Sequence, residues 1–367
     1  MSQNNLKSKR LYGIDFLRII AIIIIFIGHS AIQFNCNYSF LSPLINLRVP
    51  AMTLFFMLSG FVLYVTYGRT NLFSQEKLKE YYVKRAIGII PTYYLIAIVY
   101  IVFCGKESLV EVLKLLPLEL TVMQATLPGL EYISHNGGTW FVSCLIIAYF
   151  LYPFLQELLK MVSIRLIFFL GVGVSCFLDY ISEPYISPVY RTLEFFLGII
   201  LSAIVINLEK YKDRYQLTKY IILFLVILFF WYGYGLEYGD KLYTIMLSML
   251  IIAISMINWN FIEKIHFLKK IVLYMSSIAY EFFLAQFFVW KIAGEILLLI
   301  GIDGNKSRII VSFMVCMFLA SVLHYGFTKP VGRYIKKKNM GRYLKGRYRF
   351  NERICLVWRK ELILHGI

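Results

Sequence analysis

The chain has 367 residues, 59% of them hydrophobic and only 16% charged, and a formal net charge of +17. Its mean hydropathy is +0.69. This composition excludes an ordinary soluble domain and predicts an all-α polytopic membrane bundle.

Ten apolar segments are each long enough to cross a hydrocarbon core of about 30 Å. They cover 12–34, 45–67, 88–104, 139–158, 164–181, 191–207, 218–236, 242–258, 271–299 and 308–327. The first does not read as a cleaved signal peptide. It is too long, it is interrupted by charge, and no small-residue cleavage site follows. The ninth is long enough to be tilted or broken.

The first segment, Tyr12 to Phe34, carries Asp15, Arg18 and His29. A plain anchor gains nothing from such groups, each of which costs about 2.5–3.5 kcal/mol on insertion scales. At 100° and about 1.5 Å per residue, Arg18 and His29 share a helix face roughly 16 Å apart. Asp15 lies one turn before Arg18. Either the face lines a functional site, or Asp15 and Arg18 pair at the interface while His29 bonds a neighbouring helix. Histidine suits proton transfer near neutral pH, and a buried arginine is a fixed cation for phosphate or carboxylate.

Further along, Phe55-Phe56-Met57-Leu58-Ser59-Gly60-Phe61 sets small residues among bulky ones, as a packing notch or a cavity wall does. Lys84-Arg85, before Pro91 and Tyr93-Tyr94, suits a phosphate-bearing ligand and equally suits charge-determined topology. The run 77–91 is basic and aromatic, and reads as an interfacial helix that Pro91 bends into the membrane. The connection 105–138 has amphipathic runs and then a turn-rich patch, which reads as a short interfacial helix and a cap. Gly137-Gly138-Thr139-Trp140-Phe141-Val142-Ser143 opens the fourth span, where Trp140 also fits an interfacial belt. Arg191 and Glu194 are one turn apart and able to pair. Glu281 needs a partner deep in apolar sequence; Arg48, Arg191 and Lys291 are the candidates.

Loop charges set the expected orientation. The N-terminus and the even connections are basic (Arg69, Lys77, Lys160, Arg165, Lys210, Lys212, Lys269), and the odd ones are richer in acid (Glu107, Glu131, Glu183, Glu237, Asp303). Both termini are therefore expected in the cytoplasm. After Thr328, twelve Lys/Arg stand against Glu352 and Glu361, so the tail supplies +10 of the +17. A tail on anionic lipid accounts for this without nucleic acid. The expected organisation is a membrane domain over 1–328 and a basic tail over 329–367. The six cysteines show no metal spacing and no metal is expected; Cys36 and Cys104 could both lie near the outer face.

Taken in order, Asp15-x-x-Arg18…His29, Phe-Phe-x-Leu-Ser-Gly-Phe, Lys-Arg…Pro-x-Tyr, Trp140-Phe141, Glu194-Phe195-x-x-Gly198 and Ser277…Tyr280…Leu284 resemble the acyltransferase-3 family. The resemblance covers nearly the whole transmembrane region. It implies ten core helices, acetyl-CoA as donor with no tightly bound cofactor, and a hydroxyl acceptor on a bacterial cell-surface or lipid-linked polysaccharide. It implies a multi-pass protein of the bacterial plasma membrane whose partners are donor, glycan and lipid. The chain departs from the pattern at Arg85-Ala-Ile-Gly88, where a second arginine is usual, at Cys144, where many members carry Glu, and at Gln286, where many carry His. On this reading His29, Arg18 and Asp15 are catalytic, and Arg85, Lys84, Ser59 and Gly60 bind the donor. Trp140, Ser143, Arg191, Glu194 and Glu281 are acceptor-side or structural. A glycan flippase or exporter without acyl transfer is the alternative.

Overall fold

The computed structural model describes residues 11–34, 42–104, 108–126, 138–180, 186–211, 214, 216–234, 241–301, 304–335 and 337. These residues form thirteen α-helices and no strand. In chain order they are α1 (Tyr12–Gln33), α2 (Ser42–Asn46), α3 (Arg48–Tyr67), α4 (Gln75–Cys104), α5 (Leu109–Thr121), α6 (Thr139–Lys160) and α7 (Ile164–Tyr180). Then follow α8 (Pro188–Leu208), α9 (Gln216–Leu228), α10 (Tyr243–Met256), α11 (Asn260–Lys264), α12 (His266–Leu299) and α13 (Asn305–Ser321).

Each of the ten expected spans coincides with a helix. Eight helices among the described residues are long and apolar enough to cross a membrane; α7, with 17 residues, and α10, with 14, are shorter. The segment before Pro91 is helical and continuous with the span: α4 runs through the proline for 30 residues. Proline removes one ladder donor, and nearby the Tyr280 hydroxyl donates to the Ile89 carbonyl at 3.1 Å. The ninth span is likewise unbroken, as α12. The 105–138 connection does contain a helix, α5, started by a capping box between Ser108 and Glu111. Beyond α13 a π-helical turn, Val322–Thr328, carries the chain into a helix that reaches Ile335. Most of the basic tail, most of the turn-rich patch and Cys36 lie outside the described residues.

The centre of the bundle is the α3–α8 pair, each with 72% of its apolar span buried, against 11% for the α9 span at the periphery. Two glycines let these backbones touch. A Cβ on Gly60 would lie 2.0 Å from the Phe195 carbonyl oxygen, and one on Gly198 would lie 1.8 Å from that of Met57. Close approach of this kind is what small residues provide between membrane helices, where the lipid itself is apolar. α1 packs against α3 on one side and α12 on the other. α1 and α12 run parallel, with Asp15 beside Ser276 and His29 beside Trp290.

Candidate active site

A cavity of about 400 Å³ opens among α1, α3, α4, α6 and α12. Arg18, Lys84 and Arg85 line it together with the hydroxyls of Ser59, Ser276 and Ser277. Three cations and three hydroxyls in one cavity suit a ligand with several anionic oxygens.

Each cation is held differently. Asp15, buried in the first turn of α1, accepts a hydrogen bond from Ser276 Oγ at 2.5 Å and lies 3.9 Å from Arg18 Nη1. A carboxylate is well placed there, against the positive end of the helix dipole. Arg85 sits within 6 Å of three tyrosine rings, at 5.7 Å from Tyr67, 5.9 Å from Tyr81 and 5.8 Å from Tyr149. Its Nη2 donates to Tyr67 Oη at 3.4 Å, while its buried Nε completes no hydrogen bond among the described residues. The rings fix the guanidinium by cation–π attraction and leave donor capacity for an anion. Lys84 pairs with Glu80 at 2.7 Å on a partly exposed surface, a weak interaction that a ligand can exchange.

Gly88 lines the same cavity, and a Cβ there would meet nothing within 4 Å. The chain thus has open space where the resemblance leads one to look for a second arginine. Gly60 does not line the cavity; it belongs to the α3–α8 contact, and Ser59 alone of that pair faces the ligand space.

His29 lies outside this cavity, about 16 Å along α1 from Arg18. Its ring stands 5.3 Å from Phe287 and 5.7 Å from Trp290, both on α12. Arg48 and Gln286 are polar groups close enough to act on it. Sequence reasoning offered Arg48 to Glu281; the structure places it at the His29 end, packed on Gly28. Among the described residues, His29 Nδ1 and Trp290 Nε1 are buried without a hydrogen-bond partner, and the buried Gln286 amide interacts with His29 alone. Each such group costs about 1–3 kcal/mol when left unmet. Gly138, at the N-terminus of α6, packs on the Phe287 ring and so brings the Trp140 segment to this end.

The other predicted polar residues hold the scaffold. Arg191 Nη1 donates to both carboxylate oxygens of Glu194 at 2.7–2.8 Å, and Thr53 Oγ1 donates to Glu194 Oε1 at 2.7 Å, with both charges essentially buried. Trp140 lies 5.8 Å from the Arg191 guanidinium. Ser143 Oγ accepts from the Ala125 amide and fixes the short turn 124–126. Among the described residues, Glu281 pairs with none of the three cations proposed from sequence. Its partner is His324 Nδ1 at 3.0 Å, which the π-helical turn delivers. The tyrosine cage and His324 were not picked out from sequence. Tyr81, one turn before Arg85, was the visible signal for the cage; nothing local pointed to Tyr149.

The fold and the cavity define a polytopic α-helical membrane protein with a cavity lined by three cations. Residues 11–326 match the acyltransferase-3 family, described as an acyltransferase domain. The chain belongs to that family and is a membrane acyltransferase. No curated protein and no solved structure matches it.

Proposed function

We propose that this protein transfers an acetyl group from cytoplasmic acetyl-CoA to a hydroxyl of a cell-surface or lipid-linked polysaccharide in a bacterial plasma membrane. The observation that carries the reading is the cavity in which Arg18, Lys84 and Arg85 converge, within a chain of acyltransferase membership. A CoA donor brings phosphates that need several fixed cations. The alternating loop charges put this end of α1 toward the cytoplasm, where acetyl-CoA is made.

His29 then lies in the outer half, where a glycan hydroxyl would arrive. Its role is general base toward that hydroxyl, or transient carrier of the acetyl group. The extended pantetheine arm of CoA spans the distance from the cations to the imidazole in the first case. Asp15, held by the Ser276 hydroxyl, orients Arg18 through their ion pair. Mass spectrometry of the surface glycan from cells with and without the gene tests this reading. Loss of an increment of about 42 Da per modified sugar, the mass of one acetyl substitution, is expected without it. A glycan that loses its abundance at the surface but keeps its acetylation would instead mark an exporter.

A further inference from the structure

Gln286 and Trp290 take no part in the donor cavity, and the packing of α12 does not explain their polar atoms. Gln286 is 1% exposed and Trp290 2% exposed. Both face α1 at His29. Among the described residues the indole Nε1 of Trp290 and Nδ1 of His29 have no hydrogen-bond partner, and the Gln286 amide interacts with the His29 side chain alone. Polar atoms of three residues thus gather in one place, with each other as their nearest polar company. Aromatic rings pack beside them: Trp290 lies 5.2 Å from Phe26 and 5.4 Å from Phe287. Buried polar groups are almost always satisfied, so a cluster of this kind marks the position of a missing polar ligand. Aromatic walls with an amide and an indole N–H are the chemistry that holds a sugar, whose ring C–H groups lie on the rings while its hydroxyls bond the amide.

We propose that Gln286 and Trp290 form, with His29, the seat of the acceptor sugar, and that the Gln286 amide fixes the accepting hydroxyl against His29. This rests on the acetyl-transfer reading and goes beyond it by naming the acceptor-positioning residues. In the step, His29 Nδ1 takes the hydroxyl proton as the hydroxyl oxygen adds to the thioester carbonyl carbon. The C–S bond then breaks, the acetyl ester remains on the sugar, and the CoA thiolate leaves with the proton returned by the imidazolium. Nothing else is consumed. Arg48, packed on Gly28 beside His29, is a fixed cation at this end that would favour the oxyanion formed between the two steps.

The test uses the full chain in proteoliposomes, labelled acetyl-CoA, and graded amounts of alkali-de-esterified envelope glycan from the source cells. Gln286→Leu should raise the glycan concentration for half-maximal rate about tenfold, the loss of one hydroxyl-specific hydrogen bond. Trp290→Phe, which keeps an aromatic ring and removes the N–H, should raise it by about fivefold on the same ground. The acetyl-CoA concentration for half-maximal rate should stay unchanged in both. If Gln286→Leu does not fold, Trp290→Phe decides. An active wild type with variants that keep its glycan dependence, or that shift the acetyl-CoA dependence instead, overturns the seat alone. A wild type that transfers no label overturns the acetyl-transfer reading, and the seat with it.

Discussion

Asp15 links the two helices that carry most of the site. Its carboxylate takes the Ser276 hydroxyl at 2.5 Å and lies 3.9 Å from Arg18, so it sets the position of a cation that lines the cavity. Asp15→Asn keeps the shape and removes the charge. Since hydrogen bonds to charged groups contribute about 1.5–3 kcal/mol, donor half-saturation should rise about tenfold or more, with a smaller change in maximal rate. Steady-state kinetics over acetyl-CoA concentration check this; a change in maximal rate alone would place Asp15 elsewhere in the mechanism. The sequence made Asp15, Arg18 and His29 legible because charge inside an apolar helix is costly enough to need a reason. It did not show Ser276 as the partner of Asp15, because 261 residues separate them and a serine in an apolar helix carries little signal. Glu281 illustrates the opposite error. Its need for a partner was legible, but formal cations were sought and the partner is His324, which a π-helical turn places at 3.0 Å. A 3.6-residue period cannot foresee that turn.

At the scale of elements, the α3–α8 contact fixes where the site helices stand. Gly198→Val would drive a side chain into the Met57 carbonyl and force the helices apart, a change of the overpacking kind that costs about 1–3 kcal/mol or more. The variant should lose monodisperse protein in detergent chromatography. Gly173→Val on α7, where a Cβ meets nothing within 4 Å, should behave as wild type. Equal behaviour of the two would remove the close contact from the account. Helix existence was legible here from apolar length alone, and every expected span is a helix. Continuity across Pro91 was less so: α4 passes through it, since neighbouring helices can serve the carbonyls that a proline frees. The choice between notch and cavity wall for Ser59-Gly60 resolves by residue, with Gly60 on α8 and Ser59 on the cavity. Adjacent residues on a helix point about 100° apart, so one motif serves both.

For the whole molecule, the proposed orientation, with the cationic cavity toward the cytoplasm, rests on the alternating loop charges. In a variant retaining only Cys355, within the basic tail, a membrane-impermeant maleimide should leave intact cells unlabelled and label the tail after permeabilisation. Labelling of intact cells would reverse the proposed sides. The parallel run of α1 beside α12 then gives the molecule two ends: cations and hydroxyls at one, and His29 with Gln286 and Trp290 at the other. The most direct measurement is transfer of label from acetyl-CoA to envelope glycan by the reconstituted full chain, compared with His29→Ala at equal protein. A lost general base typically lowers rate by about 10²–10⁴-fold, and that loss is predicted here with donor binding retained. Transfer by His29→Ala at the wild-type rate would contradict the account.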